Sequence, residues 1–212
     1  MSKVVIQGNA SGTGDFTIAA PNSNTNRTLT LPDEAGTVLT TSGVPSNAMP
    51  AGSVVQVVTT IATDPQVYTS SSYTALNDLS LNITPTSASS KILLIANINA
   101  SASFRYYSFR IYRDSTPVAL STATGIGSSE LVSFQLGMNN SEAGYNFVVQ
   151  SGGGSVLDAP STTSQITYSI QARKHYATGS GSLCINRPAT TDNNYSYTMY
   201  TTSNFIAMEI AQ

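Results

Sequence analysis

From residue 51 onward, apolar and polar positions alternate with period two and show no sustained spacing of three and four. Leu79, Leu81 and Ile83 alternate with Ser80 and Asn82, and Ile92, Leu94, Ala96, Ile98 and Ala100 share one parity. Because successive strand side chains point to opposite faces, each run predicts a strand with one buried face. The same reading predicts strands near 54–60, 107–112, 131–138, 145–149, 166–173, 182–186 and 204–210, enough for two sheets. Thr84-Pro85-Thr86-Ser87, Asp114-Ser115-Thr116-Pro117, Ser151-Gly152-Gly153-Gly154 and Asp192-Asn193-Asn194 carry turn chemistry and predict the loops between them. The expected class is all-β, an antiparallel jelly roll or β-sandwich. Residues 54–58 and 92–98 are apolar at both parities, so both faces of those strands need cover.

Residues 1–50 follow a different pattern. Ile6, Phe16, Ile18, Leu29, Leu31, Val38 and Leu39 are too few and too spread to close a core of their own. Phe16-Thr17-Ile18 and Thr28-Leu29-Thr30-Leu31 flank a turn-rich stretch at 20–26, and residues 44–50 read as an extended linker. The expected organisation is an N-terminal arm over 1–50 that needs a partner surface, and a β domain over 51–212.

Charge narrows the partners. Of 212 residues only 9% are charged, nine Lys and Arg against eleven Asp and Glu, for a formal net charge of −2. The basic residues are scattered, so no nucleic-acid footprint is present and none is expected as a partner. The longest apolar runs, such as 91–96, fall far short of the ~20 residues of a spanning helix, so membrane insertion is not expected. Val4-Val5-Ile6 before Gln7 is too short for a signal-peptide core, and synthesis in a reducing cytoplasm suits the lone Cys184.

Candidate chemistry is thin. The chain has one histidine and one cysteine, and its carboxylates stand singly apart from Asp33-Glu34. His175, at a predicted strand end, is expected on a surface or subunit interface, and Cys184, between Leu183 and Ile185, on a packed sheet face. No Gly-x-Ser-x-Gly elbow sits between a strand and a helix, and Gly12-Thr13-Gly14 lacks the rest of a dinucleotide or phosphate loop. No catalytic, cofactor-binding or metal residues are expected, and no cofactor. Arg105, Arg110, Arg113 and Arg173 fall in or beside predicted strands, where they face solvent or meet a charge on another subunit. Eleven tyrosines without a tryptophan, densest at 195–200, leave a Tyr/Asn/Asp loop over 186–200 as the candidate glycan contact, with Asp192, Asn193, Asn194, Tyr195 and Tyr197 as its residues. Strand packing is the competing reading for the same tyrosines.

Two stretches resemble known families. Gly12-Thr13-Gly14-Asp15-Phe16-Thr17-Ile18-Ala19-Ala20-Pro21, continuing into Arg27-Thr28-Leu29-Thr30-Leu31-Pro32-Asp33-Glu34-Ala35-Gly36-Thr37-Val38-Leu39, resembles the shaft or attachment segments of phage tail-fibre and virion-decorating proteins. The β domain, from Ala51-Gly52-Ser53-Val54-Val55 through Ile83-Thr84-Pro85-Thr86 to Phe205-Ile206-Ala207-Met208-Glu209-Ile210, resembles phage-fibre heads of the trimeric C1q and tumour-necrosis-factor jelly-roll type. The resemblance implies a homotrimer. Phe16, Ile18, Leu29, Leu31, Val38 and Leu39 would then line a β shaft or virion-attachment segment. It further implies a structural virion protein, a tail fibre that meets other phage proteins of the tail or baseplate and presents its head to a bacterial surface glycan. A capsid decoration or cement protein is the alternative. A glycan-degrading tailspike is disfavoured, because two positioned carboxylates are missing.

Overall fold

The computed structural model describes residues 11–14, 17, 22–26, 28, 49–102, 107–118, 120, 122, 131–136, 148–174, 181–189 and 199–212. The chain divides into two compact units, Met1–Leu39 and Thr40–Gln212. In the first, the described residues are exposed, and Ser23 Oγ accepts the Thr25 amide at 3.1 Å in a local turn. Phe16, Ile18, Leu29, Leu31, Val38 and Leu39 lie outside the described residues.

The second unit is all-β, two antiparallel sheets packed as a sandwich. Its strands are β1 (Val54–Ala62), β2 (Gln66–Tyr68), β3 (Thr74–Ile83), β4 (Lys91–Ala102), β5 (Tyr107–Arg113), β6 (Thr116–Val118), β7 (Gln150–Asp158), β8 (Ile166–Lys174), β9 (Leu183–Ile185) and β10 (Ser203–Ile210). One sheet runs β3-β8-β5-β6. The other has six strands in four columns: β1 continues into β2, β9 stands in line with β10, and β4 and β7 complete it. The predicted parity of β3 and β4 is the buried one. Leu79, Leu81 and Ile83 face Ile92, Leu94, Ala96, Ile98 and Ala100 across the core, which Phe109, Ile111, Tyr168, Ile170 and Phe205 fill.

Asn186 knits the break where β1 passes into β2 and β9 stands above β10. It is fully buried, with a φ of 62° that asparagine tolerates better than branched residues. Its Nδ2 donates to the carbonyls of Ala62 (2.7 Å) and Asp64 (3.3 Å), and its Oδ1 accepts from Ser203 Oγ (2.7 Å). At the opposite end of the sandwich Asp158 of β7 joins the two sheets. Arg113 of β5 reaches it through Nη1 at 2.9 and 3.1 Å, and Tyr168 Oη of β8 donates to it at 2.5 Å.

Four expectations are corrected. Ser151-Gly152-Gly153-Gly154, expected as a loop, lies inside β7, paired with β4 from Asn99 to Ala96. Glycine is there for space: a Cβ on Gly153 would run into the Ala96 carbonyl, and one on Gly152 into the Leu136 side chain. Thr116-Pro117, expected as turn, opens β6, and the turn itself is Asp114-Ser115, with Asp114 at φ 51°. Of the strand expected over 131–138, residues 131–136 hold a single bridge, Phe134 to Phe109, with the two rings stacked 5.1 Å apart. Residues 148 and 149 precede β7 and are not strand.

Candidate assembly face

Strand β10 has two faces, and the sequence favours the wrong one for the core. Ile206, Met208 and Ile210 follow Asn204 on one parity and carry no charge, whereas the other carries Ser203 and Glu209 beside Phe205 and Ala207. In the structure the second parity points inward and Glu209 is fully buried. Burial alone would raise its pKa, yet donors from Gln56, Ser90 and Thr86 outweigh that and hold the carboxyl below the ordinary value. Gln56 Nε2 donates to Oε2 at 2.6 Å, and the Thr86 amide and hydroxyl both donate to Oε1 at 2.8 Å. The donors come from β1 and from the turn between β3 and β4, so the carboxylate ties three elements together.

The parity of Ile206, Met208 and Ile210 therefore faces away from the core, and its neighbours extend it. Cross-strand register places Val57, Met208, Leu93 and Leu157 in one row over β1, β10, β4 and β7. Thr59, Ile206, Ile95 and Ser155 form the next row, and Ile61, Asn204, Asn97 and Gly153 the one beyond. Val57 and Leu157, at the two flanks of the first row, are each 55% exposed, and Ile61 is 57% exposed. Those three rows carry no charged residue, and Lys91 stands beyond them, level with Ile210. With strands about 4.8 Å apart and a rise of about 3.3 Å per residue, the face measures on the order of 400–500 Å2. Its apolar part, centred on the row of Val57, Met208, Leu93 and Leu157 with Ile206 and Ile95, is contiguous, and a contiguous apolar patch marks an interaction surface more often than scattered exposed side chains do.

The structure places the other candidates as follows. Asp192, Asn193, Asn194, Tyr195 and Tyr197, the expected glycan contacts, lie outside the described residues, as do His175 and Arg105. Cys184 is buried in β9; burial raises its thiol, against the lowering effects of Ser182 and Arg187. Arg113, read as solvent-facing or intersubunit, is paired within the chain to Asp158. Arg110 and Arg173 flank the ring of Tyr73 on the outer face of the four-stranded sheet, at 4.3 and 5.4 Å from its centroid. Among the described residues no three His, Cys, Asp or Glu side chains come together as metal ligands would, and no helix is long and apolar enough to cross a membrane.

Sequence reasoning found the two-sided character of 54–58 and 92–98 but missed Ile206, Met208, Ile210 and Leu157, which complete the face. The signal was present in the apolar even positions of β10. Compared with protein-family models and with curated proteins, the chain matches none.

Proposed function

We propose that the chain is a structural protein of a bacteriophage particle, a homotrimeric tail fibre whose arm over 1–50 attaches or forms a shaft and whose β domain is presented to a bacterial surface. The six-stranded sheet is its subunit interface. The observation that carries this reading is the orientation of β10, which buries Glu209 and turns Ile206, Met208 and Ile210 outward. Burying a carboxylate while exposing the apolar face is unfavourable in an isolated chain and becomes favourable once a partner covers that face.

Area supports more than two copies. Two chains face to face would bury roughly 800–1,000 Å2 in total, below the ~1,200 Å2 at which specific stable interfaces begin. In a closed ring of three, each copy meets two neighbours and adds the flanks of β1 and β7 to the contact. The family resemblance supplies the number three.

Native mass spectrometry of the purified chain tests this, with three chains per particle expected at micromolar concentration. Ile206→Asp should dissociate the assembly, and a folded wild-type monomer would overturn the reading. Antibody labelling of intact phage then separates a tail fibre, with a few trimers at the tail, from a decoration spread over the capsid.

A further inference from the structure

The four-stranded sheet also turns a face outward. Phe109 and Ile111 of β5 and Ile170 and Ala172 of β8 point into the core, so Ser108, Arg110 and Tyr112 and, paired with them, Arg173, Gln171 and Ser169 point away from it. Tyr73, one residue before β3, stands level with Arg173, and its ring gathers the long side chains of this face. The Arg110 guanidinium lies 4.3 Å and that of Arg173 5.4 Å from the ring centroid, and the Tyr112 ring is tilted against it at 6.1 Å. Arg110 Nε donates to the Leu131 carbonyl at 2.9 Å, which fixes that guanidinium a second time. Ser108 and Ser169, outward in parity and yet buried, form the floor beneath.

Two guanidiniums on one ring repel each other, and an anion beside both offsets that repulsion. β5 and β8 carry Arg110, Arg113, Arg173 and Lys174 and no Asp or Glu, and Arg113 is paired to Asp158. The rows that hold Arg173, Arg110 and Tyr112 contain no carboxylate. Asp78 sits where β3 shifts register, beside Thr60 of β1 and Tyr68. Asp114 follows two rows beyond Arg110 and accepts the Thr167 amide at 3.0 Å. Contact with the ring uses the flat of a guanidinium and none of its donors, and the planar fork of donors is the group that fits a carboxylate or a phosphate. The residues alongside are neutral amides and hydroxyls: Gln171 is paired with Arg110, and Thr167 Oγ1 donates to Asn82 Oδ1 at 2.7 Å.

Resting on the reading that other copies cover the six-stranded sheet and that the β domain meets a bacterial surface, we infer that the outer face of the four-stranded sheet binds an acidic saccharide. Arg110 and Arg173 receive its carboxylate or phosphate groups, and Tyr73 is the positioning residue that holds the two guanidiniums together. Sharing one ring keeps them within about 10 Å of each other, close enough for one acidic group, or two along a chain, to engage both. The hydroxyls and amides beside them suit the sugar hydroxyls that flank such a group. Nucleic acid is a poorer fit, because its closely spaced phosphates call for more cations than these rows supply. Ordering by Tyr73 and the Leu131 carbonyl lowers the entropy lost on binding. Each site is small, and several copies in one assembly multiply it against a repeating polymer.

Biolayer interferometry of the purified full chain tests the site. Immobilised polygalacturonate presents carboxylates and phosphomannan presents phosphates, each compared with its uncharged counterpart, methyl-esterified polygalacturonate or plain mannan. The wild type should bind at least one acidic polymer on the order of tenfold more tightly than its counterpart, and the preferred polymer identifies the acid. Arg110→Gln combined with Arg173→Gln should lose that margin while the melting temperature and oligomeric state hold. Tyr73→Phe keeps a ring against the guanidiniums and should bind as the wild type does, whereas Tyr73→Leu should weaken binding about threefold or more. An assembled wild type that prefers neither acidic polymer, a double variant that binds like the wild type, or equal retention on single-stranded DNA would overturn the site. Light scattering on the same samples separates the remaining cases. A double variant that falls to monomers would assign the arginines to a neighbouring subunit and overturn the site as well. A monomeric wild type that still prefers the acid would overturn the assembly and support the site.

Discussion

Replacing Glu209 by glutamine probes the buried carboxylate that sets the orientation of β10. The side chain keeps its size and Oε1 can still accept both Thr86 donors, each at 2.8 Å. The loss falls on the other oxygen. Gln56 Nε2, 2.6 Å from Oε2, would face an amide nitrogen, donor against donor. Gln56 cannot flip to repair this, because the same Nε2 donates to the Thr84 carbonyl at 2.7 Å and a flip would set two carbonyl oxygens together. One charge-assisted bond is lost and the remaining ones weaken to neutral strength, about 3 kcal/mol in total. For a unit of this size that lowers the melting temperature by roughly 6–12 °C. The pH dependence carries a sign. The folded-state pKa of Glu209 is depressed, so its contribution is fully present above the unfolded carboxyl value and is lost as pH falls through the folded value. Urea melts at pH 7 and in the acid range should therefore show that the wild type loses more stability on acidification than Glu209→Gln. Equal stability of the two proteins at pH 7, or equal acid slopes, would refute the argument.

Other substitutions address separate contacts. Gly153→Ala should cost about 3 kcal/mol or more, since its Cβ meets a backbone carbonyl that cannot yield, whereas Gly154→Ala, which meets Phe134 at 3.5 Å, should stay within about 1 kcal/mol in the same melts. Tyr107→Phe should stabilise the protein by about 1 kcal/mol, because the buried Tyr107 hydroxyl has no hydrogen-bond partner among the described residues; a clear loss on denaturation would show that it has one. Asn186→Ala removes the bridge between Ala62, Asp64 and Ser203 and leaves a left-handed alanine, for a cost of about 3–4 kcal/mol, and hydrogen exchange should rise first in β2 and β9.

How far the fold was legible follows from what each strand has to satisfy. β4, β8 and β10 are long, with apolar residues at a steady parity, and their positions were readable within a residue or two, whereas β3 was readable only from Leu79 onward, because its buried parity switches between Leu76 and Leu79 where its pairing with β8 shifts register. β2 and β6 are three residues each, too short for a period to register, and they exist because β9 and β5 offer them an edge. β7 defeated propensity outright. Its glycines weaken a strand in isolation, but Gly153 is required because the Ala96 carbonyl occupies the place of a Cβ, and Gly152 leaves room for the Leu136 side chain.

The candidate face shows a deeper limit. Period-two reasoning locates strands but assigns inside and outside only when one parity is polar. In β1 and β4 both parities are apolar over much of the strand, and in β10 the parity that contains a charge is the buried one. What decides the matter is non-local: Gln56 lies 153 residues before Glu209 and Thr86 lies 123 before it, and only the folded sandwich brings their donors to the carboxylate. A buried ion held by neutral donors contributes little net stability over a well-packed apolar residue, but it is specific to one orientation of the strand, because inversion would forfeit the bonds from Gln56 and Thr86. Glu209 therefore acts as a register key. It keeps Ile206, Met208 and Ile210 directed outward, the orientation on which the proposed assembly face depends.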